Sequence, residues 1–295
     1  MPYKPAVQII PTVVVAARSS IMDQLEKSVG NLHYLPIIIF VLLPTTFIAT
    51  YVIAVVLGHV EPGFPYISDT ATYPPESCIF AQIINMAAAM MCGVIWLRYS
   101  QIKEISSSYQ LHASLPKWNR SSLILGLLTC LGLSFVANFQ ETNVIVVHLL
   151  GALCCFGCGT AYFWTQVVCS YYLHPLGCSL RVAHLRLSLA VGCTVLFVLG
   201  TITAALSQMF YHGDNPRKWH KEDGGWELHV ASTVAEWICA GFFCFYILTF
   251  TDEFRSIQLK RPKVIFKAGH LRTSNEVLNE SQDEVPQVKA PATIT

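Results

Sequence analysis

Six stretches of the chain are apolar on all sides over about 18 residues or more, the pattern typical of membrane-spanning helices. They cover residues 35–57, 78–97, 122–139, 144–171, 187–210 and 230–250. A bilayer core about 30 Å thick requires about 20 apolar residues in helical form, and a helix satisfies its own backbone hydrogen bonds there. The pattern therefore predicts an all-α membrane protein, a six-helix transmembrane bundle.

The basic residues between these stretches lie mostly on one side of the predicted bundle. That side has 16 of the 19 Lys and Arg, in the leading segment, the loops 98–121 and 172–186, and the tail. The three loops on the other side have only three. Because basic residues are retained in the cytosol, both termini are predicted to be cytosolic. The two glycosylation sequons, at Asn119 and Asn279, are then predicted to carry no sugar.

Three regions follow from this topology: a cytosolic N-terminal extension at 1–34, a membrane domain at 35–255 and a cytosolic tail at 256–295. The apolar run 5–17 is too short to cross a bilayer, and Pro11 interrupts it. It also resembles a secretory signal weakly, and cleavage there would reverse the orientation, so this alternative stays open.

The tail has two parts with different physical properties. Its first part, LKRPKVIFK, mixes apolar residues with four basic ones that suit the anionic lipids of a cytosolic leaflet: Lys260, Arg261, Lys263 and Lys267. A plain positive anchor is the simpler interpretation. From Thr273 onward the residues are mainly small or polar, which predicts disorder.

Composition supports a membrane protein and excludes several functions. Hydrophobic residues make up 53% of the chain and charged residues only 13%, against about 25% charged in soluble domains. The formal net charge of +1 provides no field for nucleic acid. The eleven cysteines lie mostly in apolar runs and are predicted to be small buried side chains. No catalytic motif is present, and no cofactor or metal is predicted.

The Cys155–Cys158 spacing resembles a redox or metal motif, but these residues fall in the middle of an apolar run. Gly151, Cys155 and Gly159 recur every fourth position, which lets another helix approach closely. Helix packing is therefore the preferred explanation of this motif.

Polar side chains inside apolar spans require a partner or a purpose. Several fall at one depth, in the predicted outer half of the bundle: Gln82, Asn85, Asn138, His148 and Glu236. They predict hydrogen bonds between helices, with snorkelling of end residues as a minor alternative. The functional alternative is a polar cavity that binds a lipid headgroup or a small solute, with Glu236 ionised against His148 or His229.

The first predicted outer loop, PYISDTATYPPESCIFAQ at 65–82, has no basic residue and three prolines. Prolines reduce the entropy lost on ordering, so this loop is predicted to hold one shape over the mouth of the bundle. Glu76 precedes the second span and is predicted to cap that helix. The alternative is that the loop forms a lid over the polar layer.

At this loop the sequence resembles the damage-regulated autophagy modulator (DRAM) family, through PYISDT at 65–70 and PPESCIF at 74–80. The resemblance extends to GLLTCLGLSFVANFQ at 126–140 and LHVASTVAEW at 228–237, and it is greatest to the second family member. The wider superfamily includes a GPI-anchor remodelling protein and a yeast plasma-membrane adaptor of a phosphoinositide kinase. The family's motif positions fall on Tyr66, Ser68, Asp69, Thr70, Pro75 and Glu76, and its polar helix positions on Asn138, Gln140, His148 and Glu236.

The resemblance implies a non-catalytic regulator in the lysosomal membrane or another endomembrane that promotes autophagy and links stress to cell death. Membrane lipids and cytosolic autophagy or phosphoinositide-kinase proteins are the expected partners, and the plasma membrane is the second possible location. Two further functions stay open. One is the binding or transport of a lipid or small solute, and the second is a lipid-remodelling enzyme that uses His229 with Asp69 or Glu76.

Overall fold

The structure, a computed structural model, describes residues 28–260. Six helices in this range are long and apolar enough to cross a membrane, which confirms the predicted six-helix bundle. They are α1 (Tyr34–Val56), α2 (Glu76–Tyr109), α3 (Leu115–Asn138), α4 (Ile145–Leu173), α5 (Leu180–Phe210) and α6 (Trp226–Leu248). A short helix, α7 (Thr251–Arg255), follows α6.

The helices extend beyond the apolar stretches at one end of the bundle. α2 continues to Tyr109, although its apolar pattern ends at residue 97, and α5 begins at Leu180 rather than 187. Hydrophobicity marks only the part of a helix that lies in hydrocarbon, whereas the backbone hydrogen bonds continue into polar sequence. The two loops at this end, 110–114 and 174–179, are therefore much shorter than the predicted loops 98–121 and 172–186.

The loops define two ends of the bundle. At the distal end, the loops 57–75, 139–144 and 211–225 meet one another and contain short 3₁₀ turns at Asp69–Ala71, Pro216–Lys218 and Lys221–Asp223. At the proximal end, the loops 110–114 and 174–179 connect the other helix pairs. The distal end is the one predicted to face away from the cytosol. In a separate unit of the chain, strand β1 (Ser28–Val29) pairs antiparallel with strand β2 (Leu259–Lys260).

α3 and α4 approach each other closely because glycines line their contact. A Cβ atom on Gly132 would lie 2.5 Å from the backbone nitrogen of Cys155 and 2.6 Å from the carbonyl oxygen of Gly151. Gly159 is likewise covered by the ring of Phe243. These contacts confirm that the small residues spaced four apart on α4 serve helix packing.

α4 contains one π-helical turn, Leu153–Cys158, near its middle. Towards the distal end from this turn, α4 and α5 scarcely touch, whereas their proximal halves pack together. The π turn therefore lies at the level where the two helices separate. π-Helical turns occur often at functional sites because they change the direction in which side chains point.

Candidate functional site

A cavity of about 700 Å³ lies in the distal half of the bundle, among α4, α5 and α6. This volume falls within the ~300–1,000 Å³ typical of small-molecule sites. Its deep walls are apolar, formed by side chains such as Leu153, Phe156 and Phe197. Polar side chains surround its mouth and come from the three distal loops and α6.

The first distal loop folds over the mouth and is fixed on α6 at three points. The amide of Ile67 donates to the Glu236 carboxylate over 3.1 Å. The indole of Trp237 donates to the carbonyl of Pro65 over 2.9 Å, and the phenol of Tyr66 forms a hydrogen bond with the hydroxyl of Ser232. The shape that the prolines predict is thus held by contacts with α6.

Within the same loop, Asp69 and Thr70 organise the 3₁₀ turn. The amide of Tyr66 donates to the Asp69 carboxylate over 3.1 Å, and the Thr70 hydroxyl donates to the carbonyl of Ile67 over 2.7 Å. Thr70 also forms a 3.2 Å hydrogen bond with Thr50 on α1. Asp69 and Thr70 are buried, so the motif residues fold the loop and connect it to two helices.

Three carboxyl groups line the mouth: Asp69, Glu141 and Glu236. Burial and the nearby Glu141 raise the pKa of Asp69 well above its ordinary range. Burial also raises the pKa of Tyr66. Glu141 lies 3.8 Å from the guanidinium of Arg217, and both side chains are about one-fifth exposed. The mouth therefore combines these three carboxyl groups with a loosely paired cation, Arg217, at its rim.

Two nitrogen atoms at the mouth have no hydrogen-bond partner although they are buried: Nδ1 of His229 and Nε of Arg217. The His229 ring is stacked on Trp219, with 4.2 Å between the ring centroids, and Tyr66 contacts it edge-on. A buried polar atom without a partner costs free energy that a bound ligand can recover. Both residues line the cavity, so the site contains two unsatisfied nitrogens.

The predicted polar layer is divided between two places. His148 and Glu236 line the cavity, and Nδ1 of His148 bonds the carbonyl oxygen of Phe139 over 2.7 Å. Asn85 on α2 instead exchanges hydrogen bonds with Asn138 on α3 at 3.0 and 3.1 Å. Neither asparagine lines the cavity. Hydrogen bonding between helices accounts for this second group.

Gln82 and Gln140 also lie away from the cavity. Gln82 is exposed on α2. Gln140 accepts a hydrogen bond from Asn143 within the short second distal loop. Because a helical residue's direction depends on its rotation about the axis as well as its depth, depth alone did not separate these residues from those of the cavity.

The predicted capping role of Glu76 is wrong. Glu76 is the first residue of α2, and Pro75 occupies the cap position without a side-chain hydrogen bond. The carboxylate of Glu76, fully buried, lies 2.5 Å from Nδ1 of His59. Glu76 therefore connects the end of α1 to the start of α2. Its carboxylate bonds His59 instead of the free backbone amides at the start of α2.

A second polar cluster, which the sequence did not predict, lies at the proximal end. Glu253 on α7 pairs with Arg186 on α5 at 2.7 Å and with Arg98 on α2 at 2.9 Å. Both arginines are fully buried, and the ring of Phe250 lies within 5.3 Å of both guanidinium groups. Arg98 also donates to Gln166 on α4 over 3.1 Å. This cluster connects α2, α4, α5 and α7.

The two arginines counted in sequence as cytosolic loop charges, Arg98 and Arg186, are thus buried structural groups. The sequence contains a signal of this burial, because each arginine directly adjoins a predicted span and the helix of that span continues past the arginine. A charge at such a position requires a partner, and Glu253 is one of two adjacent acids that closely follow the last span.

The basic tail is only partly described. Lys260, in strand β2, is exposed, whereas Arg261, Lys263 and Lys267 lie outside the described residues. All eleven cysteines lie within the described range and are free thiols. Among residues 28–260 no group of His, Cys, Asp and Glu is arranged to hold a metal ion.

Six apolar helices, three of which line a ligand-sized cavity, define the chain as a multi-pass α-helical membrane protein with a candidate binding site. Residues 31–257 match the model of the Frag1/DRAM/Sfk1/Cwh43P N-terminal domain, so the chain belongs to this family. The resemblance seen in the sequence is thereby confirmed.

The relatives share most of their length with the chain. DNA damage-regulated autophagy modulator protein 2 of Rattus norvegicus is 37% identical over 78% of this chain and 86% of its own length. Protein 1 of the same name from Homo sapiens is also 37% identical, over 78% of this chain and 94% of its own length. Modulator of macroautophagy TMEM150B of Xenopus tropicalis is 38% identical over half of the chain. No solved structure matches the chain.

Proposed function

We propose that this protein is a non-catalytic modulator of autophagy in the lysosomal membrane or another endomembrane, and that it links stress to cell death. The observation that supports this most is the match to relatives named as autophagy modulators, which covers 86% and 94% of their length. The match to the family model covers residues 31–257, which include the six helices and the loop over the cavity mouth.

Localisation is the first test of this proposal. Imaging of a tagged copy with lysosomal and plasma-membrane markers should show the lysosomal pattern. A plasma-membrane pattern would contradict it and favour a phosphoinositide-kinase adaptor that uses the basic segment from Lys260 onward.

The proposal further places its cytosolic partners on the tail. Truncation after Arg255 retains Glu253 and the proximal cluster, so the bundle should fold while partner recruitment and autophagic flux decrease. A folded truncation with unchanged flux would rule out a role of the tail. Cutting before Thr251, which removes Glu253, is the control that should unfold the protein.

The geometry favours a second candidate function, the binding of a lipid or small solute in the distal cavity. The cavity and the unpartnered nitrogens of His229 and Arg217 support it. Replacing Glu236 by Gln removes a carboxyl group and keeps an oxygen that accepts from Ile67. We expect altered autophagic flux or lysosomal pH from this variant at normal expression, and no change from Glu227→Gln, an exposed carboxylate on the same helix.

The geometry of His229 supports a non-catalytic role. An activated nucleophile requires a hydrogen bond between a hydroxyl and its base. Nδ1 of His229 has no partner, and the neighbouring Ser232 hydroxyl donates to the backbone carbonyl of His229 instead. The Asp69 carboxylate accepts a hydrogen bond from the amide of Tyr66, and the Glu76 carboxylate is hydrogen-bonded to His59. The enzyme alternative therefore has no support from these side chains.

A further inference from the structure

The cavity is open on its side, between α4 and α5. Distal to the π turn, α4 and α5 scarcely touch, and they converge where a Cβ on Gly157 would lie 3.6 Å from the ring of Phe197. Leu153, which lines the cavity, is 58% exposed. Both helices are apolar enough to lie in a membrane, so the gap between them faces lipid rather than water.

The cavity extends over about half the thickness of a membrane. Its lining residues on α5 run from Leu196 to Gln208, twelve residues apart, which is about 18 Å at about 1.5 Å per residue. On α6 they run from His229 to Cys239, or about 15 Å. Half of a hydrocarbon core is about 15 Å. The cavity thus has the length of one acyl chain in one leaflet.

The mouth provides both signs of charge at the level of the lipid headgroups. Arg217 provides a guanidinium group and His229 an Nδ1 without a partner, while Glu141 provides a partly exposed carboxylate next to Arg217. The 3.8 Å separation of Arg217 and Glu141 is loose for an ion pair. A headgroup with one anionic and one cationic group can pair with both residues at once.

We propose that the cavity binds a zwitterionic phospholipid of the distal leaflet, which enters sideways between α4 and α5. One acyl chain fills the apolar cavity down to the π turn, and the second chain stays in the bilayer at the gap. The phosphate contacts Arg217 and His229, and the ammonium group contacts Glu141. This inference rests on the second candidate function proposed above and names its ligand.

Photo-crosslinking of the full chain in nanodiscs tests the proposal. The probe is phosphatidylcholine with a diazirine at the end of one acyl chain, mixed with unlabelled phosphatidylcholine. We expect the peptides that contain Leu153 and Phe197 to be labelled, because the chain end reaches the cavity floor. Labelling restricted to exposed faces outside the cavity, such as Ile48 on α1, would identify annular lipid only and overturn the proposal.

A variant that fills the cavity separates a bound lipid from annular lipid. Ala204 lines the cavity and is half-buried, so Ala204→Phe places a ring in the empty space. Labelling of the floor should fall by about tenfold, equal to about 1.4 kcal/mol of binding free energy. Val198→Phe, at an exposed position of α5 outside the cavity, should leave it unchanged. Equal labelling in both variants would overturn the proposal.

The headgroup is tested separately. Arg217→Gln should reduce floor labelling several-fold, whereas Lys218→Gln, at an exposed neighbouring position, should not. A phosphatidylglycerol probe of the same chain length should label less than phosphatidylcholine, and equal labelling would overturn the zwitterionic assignment. Displacement of the probe by soluble glycerophosphocholine alone would reassign the site to a free headgroup and overturn the lipid proposal.

Measured together, lipid labelling and autophagic flux distinguish failure of the lipid assignment from failure of the proposed role in autophagy. If the Ala204→Phe variant loses lipid labelling but autophagic flux is normal, the lipid site stands and its role in autophagy is contradicted. If flux changes while labelling does not, the cavity is functional and the phospholipid assignment is wrong.

Discussion

The carboxylate of Glu236 on α6 accepts a hydrogen bond from the backbone amide of Ile67, 3.1 Å away, although 169 positions separate the two residues. Ile67 lies in the loop that covers the cavity and is only 5% exposed. Its amide therefore has no ready access to water, and the Glu236 carboxylate is the acceptor that this amide needs. The same carboxylate lines the cavity, so it connects the closure of the loop to the site.

Removing this acceptor should loosen the loop. Glu236→Ala leaves the Ile67 amide buried and unpaired, which costs about 1–3 kcal/mol. We expect faster hydrogen exchange at residues 65–70 and a lower free energy of unfolding. Glu236→Gln retains an acceptor oxygen and should keep exchange near that of the unmodified protein. If Ala and Gln behave alike, the hydrogen bond does not hold the loop.

The proximal cluster should contribute strongly to stability. Glu253→Gln leaves Arg98 and Arg186 buried without a counter-charge, and breaking a buried ion pair costs about 3–5 kcal/mol. A large loss should appear in unfolding titrations of the protein in mixed micelles.

The matched control for Glu253 is its exposed neighbour. Asp252→Asn removes an ion pair with Arg255 in which both side chains are mostly exposed, and such pairs contribute little to stability. A similar response of the two variants would show that Glu253 is not the centre of the cluster.

The residues at the cavity mouth and the proximal cluster around Glu253 differ in how much of them the sequence predicts. Six spans and their packing glycines follow from apolar length and residue size, because every helix in hydrocarbon obeys the same constraint. Partners across helices do not follow, because Glu253 and Arg98 are separated by four spans and only the bundle brings them together. Asn85 and Glu236 lie at about the same depth in their helices. Because the two helices are rotated differently about their axes, Asn85 bonds Asn138, whereas Glu236 lines the cavity.

The first distal loop was predicted more fully. Its prolines and the resemblance of PYISDT indicated one fixed shape, and the loop does cover the cavity mouth. The cap predicted for Glu76 was wrong because a local pattern cannot show a competing partner, and His59 is that partner. The polar cavity stated as an alternative from sequence had a signal in His148, His229 and Glu236, which line it, whereas the gap between α4 and α5 had none.

Stability should depend on pH through Asp69. Burial, and then the nearby Glu141, raise the pKa of Asp69 in the folded protein, so the folded state binds this proton more tightly than the unfolded chain. The contribution of Asp69 to stability is then fully present below about pH 4, the ordinary pKa of Asp, and is lost as the pH rises through the higher folded value. Asp69→Asn, which resembles the protonated form, should remove this decrease in unfolding measured across pH.

The control for Asp69 is an exposed acid of the third distal loop. Asp214→Asn should leave the pH dependence of unfolding unchanged, since Asp214 is solvent-exposed. Tyr66, Glu141 and Glu236 surround Asp69 and are retained in both variants. An unaltered pH dependence in Asp69→Asn would assign the effect to one of those neighbours.

The contact of α3 with α4 should not tolerate a side chain. Gly132→Ala places a Cβ 2.5 Å from a backbone nitrogen, and backbone cannot move aside as a flexible side chain does. Overpacking of this kind costs about 1–3 kcal/mol. Gly93, on α2, has no atom within 4 Å of its Cβ position, and Gly93→Ala should stabilise its helix by about 0.5–1 kcal/mol. Opposite signs in unfolding titrations would support the close contact, and equal effects would contradict it.

The orientation of the bundle is testable with a glycan. Lys218 and His220 are exposed in the third distal loop, and Lys218→Asn with His220→Thr creates a sequon there. If the distal end faces the lumen, this variant should gain a sugar that an endoglycosidase removes, seen as a shift in gel mobility. Asn119 should carry none in either protein, because it is buried and donates to the carbonyl of Tyr99 over 2.9 Å. A well-expressed variant without sugar at residue 218 would contradict the predicted cytosolic termini, since the oligosaccharide is transferred only on the luminal side.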